Sequence, residues 1–174
     1  GTANLNHKYG LNKNIIKKKE FKKIINFLSK KGNVFLDTAA AYNNAENIIG
    51  GFDLKNINII TKIEINNKKK ELIENEILEK ILQSKSNFKN NEIYALLVHN
   101  PECLLSDQGK NILRCLQKYK DQKFFKKIGI SIYNFKSLKI LLNKYNFDVV
   151  QLPTNIFDQR MNDEKILGII KKKK

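Results

Sequence analysis

Residues 34–62 read VFLDTAAAYNNAENIIGGFDLKNINIITK, and this stretch decides the fold. It holds two apolar runs of strand length, Val34–Leu36 and Asn58–Thr61, separated by a short helical pattern. A polar residue follows each run, Asp37 after the first and Lys62 after the second. Two strands joined by a helix form a parallel pair, so we expect both polar residues at the same edge of one sheet.

The same alternation of strand and helix patterns covers the rest of the chain. Near-continuous apolar strands with helical crossovers are typical of a parallel sheet covered by helices. Further strands are predicted at Ile93–Val98, Lys127–Ile132 and Val149–Leu152, with the opening GTA as the end of another, and helices at 19–31, 44–49, 69–82, 108–120, 135–144 and from Met161 to the end. No glycine-rich phosphate loop follows a strand, which argues against a Rossmann unit. The pattern therefore predicts one α/β domain over residues 1–174 with at most six parallel strands.

The net charge of +16 raises the question of nucleic-acid binding. Arginine, the residue best suited to bidentate contacts with phosphate and guanine, occurs only at Arg114 and Arg160. Most lysines fall in helical segments such as IIKKKEFKKIINFLSKK, where they alternate with apolar positions and form a solvated helix face. The sequence therefore predicts no nucleic-acid partner.

The remaining bulk properties indicate a cytoplasmic protein. No apolar stretch approaches the ~20 residues of a membrane span, and the first residues lack the apolar core of a signal peptide. The two cysteines, Cys103 and Cys115, do not have metal-ligand spacing. We expect both to be reduced thiols, and we expect neither a membrane partner nor a metal site.

Candidate site residues lie where successive strands end. Asp37, Lys62 and His99 each follow an apolar run, and Tyr42 lies in the loop after the first. In a (β/α) barrel the C-terminal ends of the strands carry the active site. A free phenol has a pKa near ~10, and a neighbouring ammonium lowers it. Tyr42 could therefore protonate a carbonyl oxygen, with Lys62 as the ammonium, Asp37 as its anchor and His99 orienting the substrate.

Each of these residues also has an ordinary structural explanation. Asp37 could help to cap a helix, Tyr42 could be a half-buried loop aromatic, Lys62 could point to solvent, and His99 could satisfy a turn before Pro101. Their joint appearance at adjacent strand ends favours a site. No side chain donates hydride, so such a site would require a nicotinamide or flavin cofactor.

The chain resembles an aldo-keto reductase along nearly its whole length. FLDTAAAYNNAENIIG resembles the family segment with the Asp, the Tyr and the Ala-Glu pair, INIITKI the strand with the Lys, and YALLVHNPE the strand with the His. KIGISIYN and DVVQLPTNIFDQR resemble the next two strands. GTANLNHKYGLNKN resembles the end of the first barrel strand, in members found beside sugar and surface-polysaccharide biosynthesis.

This resemblance implies a (β/α)₈ TIM barrel that reduces a small carbonyl substrate, such as a sugar derivative, with NADPH or less often NADH. It assigns the proton donor to Tyr42 and the supporting catalytic roles to Lys62, Asp37 and His99. It also implies cofactor contacts from Gly1, Thr2, Ser131 and Gln151. Ile132 stands where many members have an Asn, so Asn134 or Asn155 would replace that contact, and Asn155 is the candidate substrate-binding residue.

Two departures from the family pattern lead to further expectations. Many members have Gly after the catalytic Tyr, and this chain has Asn43, the residue that best replaces Gly at positive φ. We therefore expect a positive φ at Asn43. The N-terminal hairpin and strands seven and eight of the family barrel are not recognisable, so we expect an incomplete barrel with open sheet edges and poor cofactor affinity.

Three other functions remain alternatives from the sequence. One is a catalytically inactive family member that serves as a binding or regulatory subunit. The second is a basic nucleic-acid-binding module. The third is a different barrel enzyme, such as a lyase with Lys62 as a Schiff base.

Overall fold

A computed structural model describes residues 2–5, 8, 15–160, 168 and 170. Within them, five parallel strands pair in chain order into one sheet. The strands are β1 (Val34–Asp37), β2 (Ile57–Ile63), β3 (Ile93–Val98), β4 (Phe125–Ser131) and β5 (Val149–Gln151). The helices are α1 (Lys18–Lys31), α2 (Ala45–Gly50), α3 (Lys70–Phe88), α4 (Gly109–Asp121) and α5 (Phe135–Lys144), with a 3₁₀ helix at Pro101–Leu105.

The core lies between the sheet and the helices. Strand residues alternate between two faces, and in β2 the residues Ile59, Thr61 and Ile63 are all buried on the helix-facing side. In α3 the buried Ile73, Ile77 and Ile81 recur every four residues and so share one helix face. The other face of the sheet carries the polar strand ends.

The sheet curls strongly, as in part of a TIM barrel. Four strand spacings separate β1 from β5, which would be about 19 Å in a flat sheet. The side chains at their C-terminal ends nevertheless meet, because Gln151 Nε2 donates a hydrogen bond of 3.0 Å to Asp37 Oδ1. This contact requires the sheet to bend until its first and last strands approach each other. The α/β barrel class expected from the sequence is confirmed.

The elements agree with the sequence pattern except at a few places. Helix α3 runs six residues beyond the predicted end at Leu82, because Ser84 and Phe88 are buried against the rest of the fold. The 3₁₀ helix after β3 was not predicted. Thr2–Leu5 forms a turn with a single bridge from Leu5 to Ile16 rather than a strand. The predicted helix from Met161 onwards lies almost wholly outside the described residues.

Among the described residues, every helix is too short or too polar to span a bilayer. The same residues contain no group of three or more His, Cys, Asp or Glu side chains suited to holding a metal ion. Cys103 and Cys115 are both free thiols.

Candidate active site

The strand register brings the predicted residues to one face and one end of the sheet. Asp37 of β1 pairs with Ile60, which points to the same face as Lys62 two residues on. Lys62 pairs with Leu97, and His99 follows Leu97 by two residues. Ser131 of β4 pairs with Gln151 of β5. Four strands and the residue after β3 thus direct Asp37, Lys62, His99, Ser131 and Gln151 towards the inside of the curl.

Lys62 is a buried cation held by two oxygen acceptors. Its side chain is 2% exposed, and its Nζ lies 2.7 Å from Asp37 Oδ1 and 2.8 Å from the carbonyl oxygen of Thr38. A buried ammonium needs such partners, because it has lost its hydration. Asp37 is itself tied down by Gln151, so the ion pair has a fixed direction.

The loop after β1 brings Tyr42 beside this ion pair. Its backbone N–H donates to the carbonyl of Ala39, and its own carbonyl accepts from Ala45 at the start of α2. Asn43 has φ of 46°, which confirms the expected left-handed conformation and lets the chain turn directly into α2. The Lys62 Nζ lies 5.4 Å from the centre of the Tyr42 ring.

His99 completes the cluster on the other side of Tyr42. The two rings meet edge to face, with centroids 6.0 Å apart and an interplanar angle of 81°. Burial, reinforced by the Lys62 ammonium, lowers the pKa of His99 below its ordinary value despite the opposing charges of Glu64 and Asp37. The ring is therefore mostly neutral at pH 7. Its Nδ1 is buried and has no hydrogen-bond partner among the described residues.

A cleft of about 120 Å³ opens beside the ion pair. Its lining comprises Asp37, Tyr42, Lys62, Ser131, Ile132, Tyr133, Gln151, Leu152 and Pro153. This volume is close to that of a cavity that admits one aromatic ring. Gln151 Nε2 is used by Asp37, which leaves Gln151 Oε1 as a buried acceptor without a partner in the described part of the chain.

Of the other residues predicted to bind the cofactor or the substrate, the structure brings only some to the site. Thr2 is buried and donates from its hydroxyl to the carbonyl oxygen of Asp37 at 3.1 Å, which brings the start of the chain to the site. Gly1 lies outside the described residues. Asn155 does not line the cleft, and its side-chain oxygen accepts from the backbone of Phe157 and Asp158.

Asn134 does not line the cleft either. Its side-chain oxygen caps α5 by accepting from the N–H groups of Lys136 and Ser137. Ile132, which replaces the Asn of many family members, is buried in the wall of the cleft. The side-chain oxygens of both asparagines are thus engaged in local backbone hydrogen bonds.

Three cleft residues were missed by the sequence reasoning. Tyr133 is 69% exposed, and Leu152 and Pro153 continue the chain beyond β5. Each comes within two residues of a strand end, and that position was the available signal. A larger cavity of about 580 Å³ lies at the opposite ends of the strands, lined mainly by the loops at residues 53–58 and 90–92. It contains none of the predicted site residues, and barrel active sites lie at the C-terminal ends of strands.

Comparison with known proteins agrees with this fold. The family model for the aldo/keto reductase family matches residues 1–174. Among solved structures, a protein described as an aldo-keto reductase from Pseudomonas aeruginosa superposes with a TM-score of 0.71 at 17% identity, over 98% of this chain and 66% of its own. The aldo-keto reductase AKR11C1 from Bacillus halodurans, in its holo form, gives 0.70 at 20% identity, over 90% and 54%.

Aldose reductase from Giardia lamblia gives a TM-score of 0.64 at 18% identity, covering 90% of this chain and 59% of its own. The chain therefore spans less than two thirds of the length of each of these structures. No curated protein sequence matches it. At these identities the structural likeness establishes the fold, and the family model establishes the relationship. The chain belongs to the aldo/keto reductase family.

Proposed function

We propose that this chain carries the catalytic residues of an NADPH-dependent carbonyl reductase. The observation that carries the proposal is the buried Lys62 ammonium, held by Asp37 and the Thr38 carbonyl and lying next to the Tyr42 ring. A structural lysine at a strand end would reach solvent. Lys62 is instead buried, with its ammonium 2.7 Å from the carboxylate of Asp37 and beside the phenol of Tyr42. An ammonium in this position would stabilise negative charge on the phenol.

Tyr42 is the general acid in this proposal. Its hydroxyl gives a proton to the carbonyl oxygen as the alcohol forms, and the negative charge left on the phenol is stabilised by the Lys62 ammonium. Asp37 holds that ammonium in position. The hydrogen bond from Gln151 in turn fixes the carboxylate of Asp37.

His99 orients the substrate. Its ring contacts Tyr42 edge to face, which places the imidazole next to the proposed proton donor. A protonated ring nitrogen would donate a hydrogen bond to the carbonyl oxygen of the substrate and hold it in line for proton transfer.

In this proposal the carboxamide of the nicotinamide lies at the cleft. Gln151 Oε1 is a buried acceptor that would take an amide N–H, and the Ser131 hydroxyl on the neighbouring strand would donate to the amide oxygen. When bound, the reduced nicotinamide supplies the hydride that no side chain can supply. The choice of NADPH over NADH rests on the family resemblance.

The proposal extends to a substrate class and a compartment. The cleft lining combines the apolar Ile132, Leu152 and Pro153 with six residues that carry polar groups. Such a lining suits a small aldehyde or ketone that is itself polar, such as a sugar derivative. Two free thiols, Cys103 and Cys115, are compatible with the reducing cytoplasm.

A Schiff-base lyase is the rival enzyme function for the same residues. A Schiff-base lysine must be neutral to attack a carbonyl, whereas Lys62 is paired with a carboxylate. Borohydride treatment in the presence of a carbonyl substrate would trap an adduct on Lys62 only if Lys62 forms a Schiff base.

Substitution of Tyr42 by Phe tests the proposal in the protein that carries this chain. We expect turnover of aldehydes with NADPH to fall by about 10³-fold, the size of a general-acid contribution, while NADPH affinity changes little. Tyr133→Phe is the matched control, because it removes the other phenol hydroxyl from the same cleft and should leave turnover nearly unchanged. The rate of turnover would be measured by the loss of NADPH absorbance, and the affinity for NADPH by the change in its fluorescence. Full turnover by Tyr42→Phe would overturn the assignment.

A further inference from the structure

Glu64 has a carboxylate that the proposed chemistry leaves without a role. It follows β2 directly and lies two residues after Lys62, with a side chain that is 48% exposed. Its Oε1 lies 3.8 Å from Nδ1 of His99, which is within ion-pair range but longer than a hydrogen bond. No hydrogen bond from the described residues reaches the Glu64 carboxylate.

The His99 side of this pair is incomplete. Nδ1 is the buried ring atom without a partner in the described part of the chain, and a buried polar atom left unpaired is costly. The backbone of Glu64 is fixed, because Lys80 Nζ donates to its carbonyl oxygen while paired with Glu76. A closer approach of Glu64 to Nδ1 would therefore come from its side chain and not from its backbone.

Three charged groups and one phenol surround the imidazole. Lys62 opposes a positive charge on the ring, whereas Glu64 and Asp37 favour it, and Tyr42 contacts the ring edge to face. Asp37 is already bonded to Lys62 and Gln151. Both of these bonds use Oδ1 of Asp37, but Glu64 is the carboxylate within ion-pair range of His99 Nδ1 and so the one placed to accept a hydrogen bond from it.

We propose that Glu64 is the positioning residue of His99, accepting a hydrogen bond from Nδ1–H and thereby fixing which ring nitrogen carries the proton. This inference rests on the proposed carbonyl reduction, in which His99 binds the substrate oxygen. With Nδ1 committed to Glu64, Nε2 is the nitrogen left for the substrate. Nε2 donates only when the ring is doubly protonated, which is the minor form at pH 7. Carbonyl binding through His99 is therefore weak at neutral pH and strengthens as the pH falls towards the pKa of His99.

The test is an NMR titration of the imidazole nitrogens in isotope-labelled protein, without cofactor or substrate. The nitrogen shifts report both the pKa of His99 and the tautomer of its neutral form. The chain has two histidines, and a His7→Gln variant assigns the signals. We expect the Nδ1–H tautomer in the unmodified chain. In Glu64→Gln, we expect the pKa of His99 to fall by about 0.7 pH unit, the effect of one charge at about 4 Å in a water-like medium.

Glu74→Gln is the matched control. Its side chain is 43% exposed, the same charge is removed, and it does not act on His99. The pKa and tautomer of His99 should be unchanged in this control. An Nε2–H tautomer in the unmodified chain, or equal His99 pKa values in Glu64→Gln and Glu74→Gln, would overturn the inference. Because the titration uses no catalysis, its result is separate from that of Tyr42→Phe.

Discussion

At the scale of single residues, the site depends on backbone geometry as much as on its charged groups. Asn43 follows Tyr42 and adopts φ of 46°, a conformation that most side chains find strained. This residue turns the chain from the phenol into α2, so the direction of Tyr42 depends on it.

Replacing Asn43 by Val should therefore destabilise the protein, because a β-branched side chain clashes in the left-handed region. The expected loss is about 2 kcal/mol of unfolding free energy, measured by urea denaturation. Asn43→Gly is the control, since glycine adopts this φ freely and should retain stability. Equal stability of the Val and Gly variants would contradict the strained turn.

The sequence could predict those residues of the candidate site whose amino-acid type is unusual for their position in a strand or turn. Lys62 and His99 end apolar strands where charged and polar residues are rare, and Asn43 stands where many family members have Gly. Glu64 gave no such signal, because a glutamate after a strand is ordinary on an exposed edge. Its proximity to His99 depends on the β2–β3 register, which one sequence does not determine.

At the scale of secondary-structure elements, the buried Glu46 joins the two segments that carry Tyr42 and Lys62. It lies in the first turn of α2, directly after the Tyr42 loop, and is 3% exposed. It accepts from Thr61 Oγ1 at 2.6 Å, next to Lys62, and from Ser84 Oγ at 3.0 Å and Asn87 Nδ2 at 3.0 Å on α3.

Glu46→Ala should cost about 3 kcal/mol of unfolding free energy, because it leaves the Thr61 and Ser84 hydroxyls buried without an acceptor. Glu79→Ala on the exposed face of α3 is the control and should change stability by less than about 0.5 kcal/mol. Urea unfolding followed by far-ultraviolet circular dichroism measures both. If the two variants were equally stable, Glu46 would not be the link between α2, β2 and α3.

These contacts also explain which element boundaries could be predicted. The strands and the amphipathic α1 and α4 follow from the apolar pattern alone. The last turns of α3, with the sequence QSKSNF, have weak helix propensity and form because Ser84 and Asn87 bond to Glu46 and Phe88 is buried. Such boundaries are set by tertiary contacts, so pattern reasoning ended the helix too early.

At the scale of the whole molecule, two carboxylates hold loops by accepting backbone hydrogen bonds. Glu76 accepts from the N–H groups of Asn66 and Asn67, and Asp148 accepts from that of Ile128. Burial alone would raise the pKa of each, but the bonds from lysine and from backbone N–H groups outweigh it, so each pKa is lowered.

Stability should therefore fall in acid. A carboxylate whose folded pKa is lowered stabilises the protein above its unfolded pKa, and this stabilisation is lost as the pH falls through the folded value. The double variant Glu76→Gln/Asp148→Asn should be less stable at pH 7 and lose less stability between pH 5 and pH 3, measured as the urea midpoint. The control Glu79→Gln/Asp107→Asn removes the same charge from exposed positions and should follow the unmodified chain. Parallel pH profiles for the two double variants would exclude this role.

The contact between Gln151 and Asp37 also has a consequence for the order of folding. It joins residues 114 positions apart, and it forms only after the intervening strands have curled. Contacts of such long sequence separation are slow to form, because the closure of the long loop costs entropy before the contact stabilises the chain. The contacts that hold Lys62 should thus be among the last in the sheet to form. Chaperones and proteases would therefore meet a chain that has most of its secondary structure but not yet an organised catalytic centre.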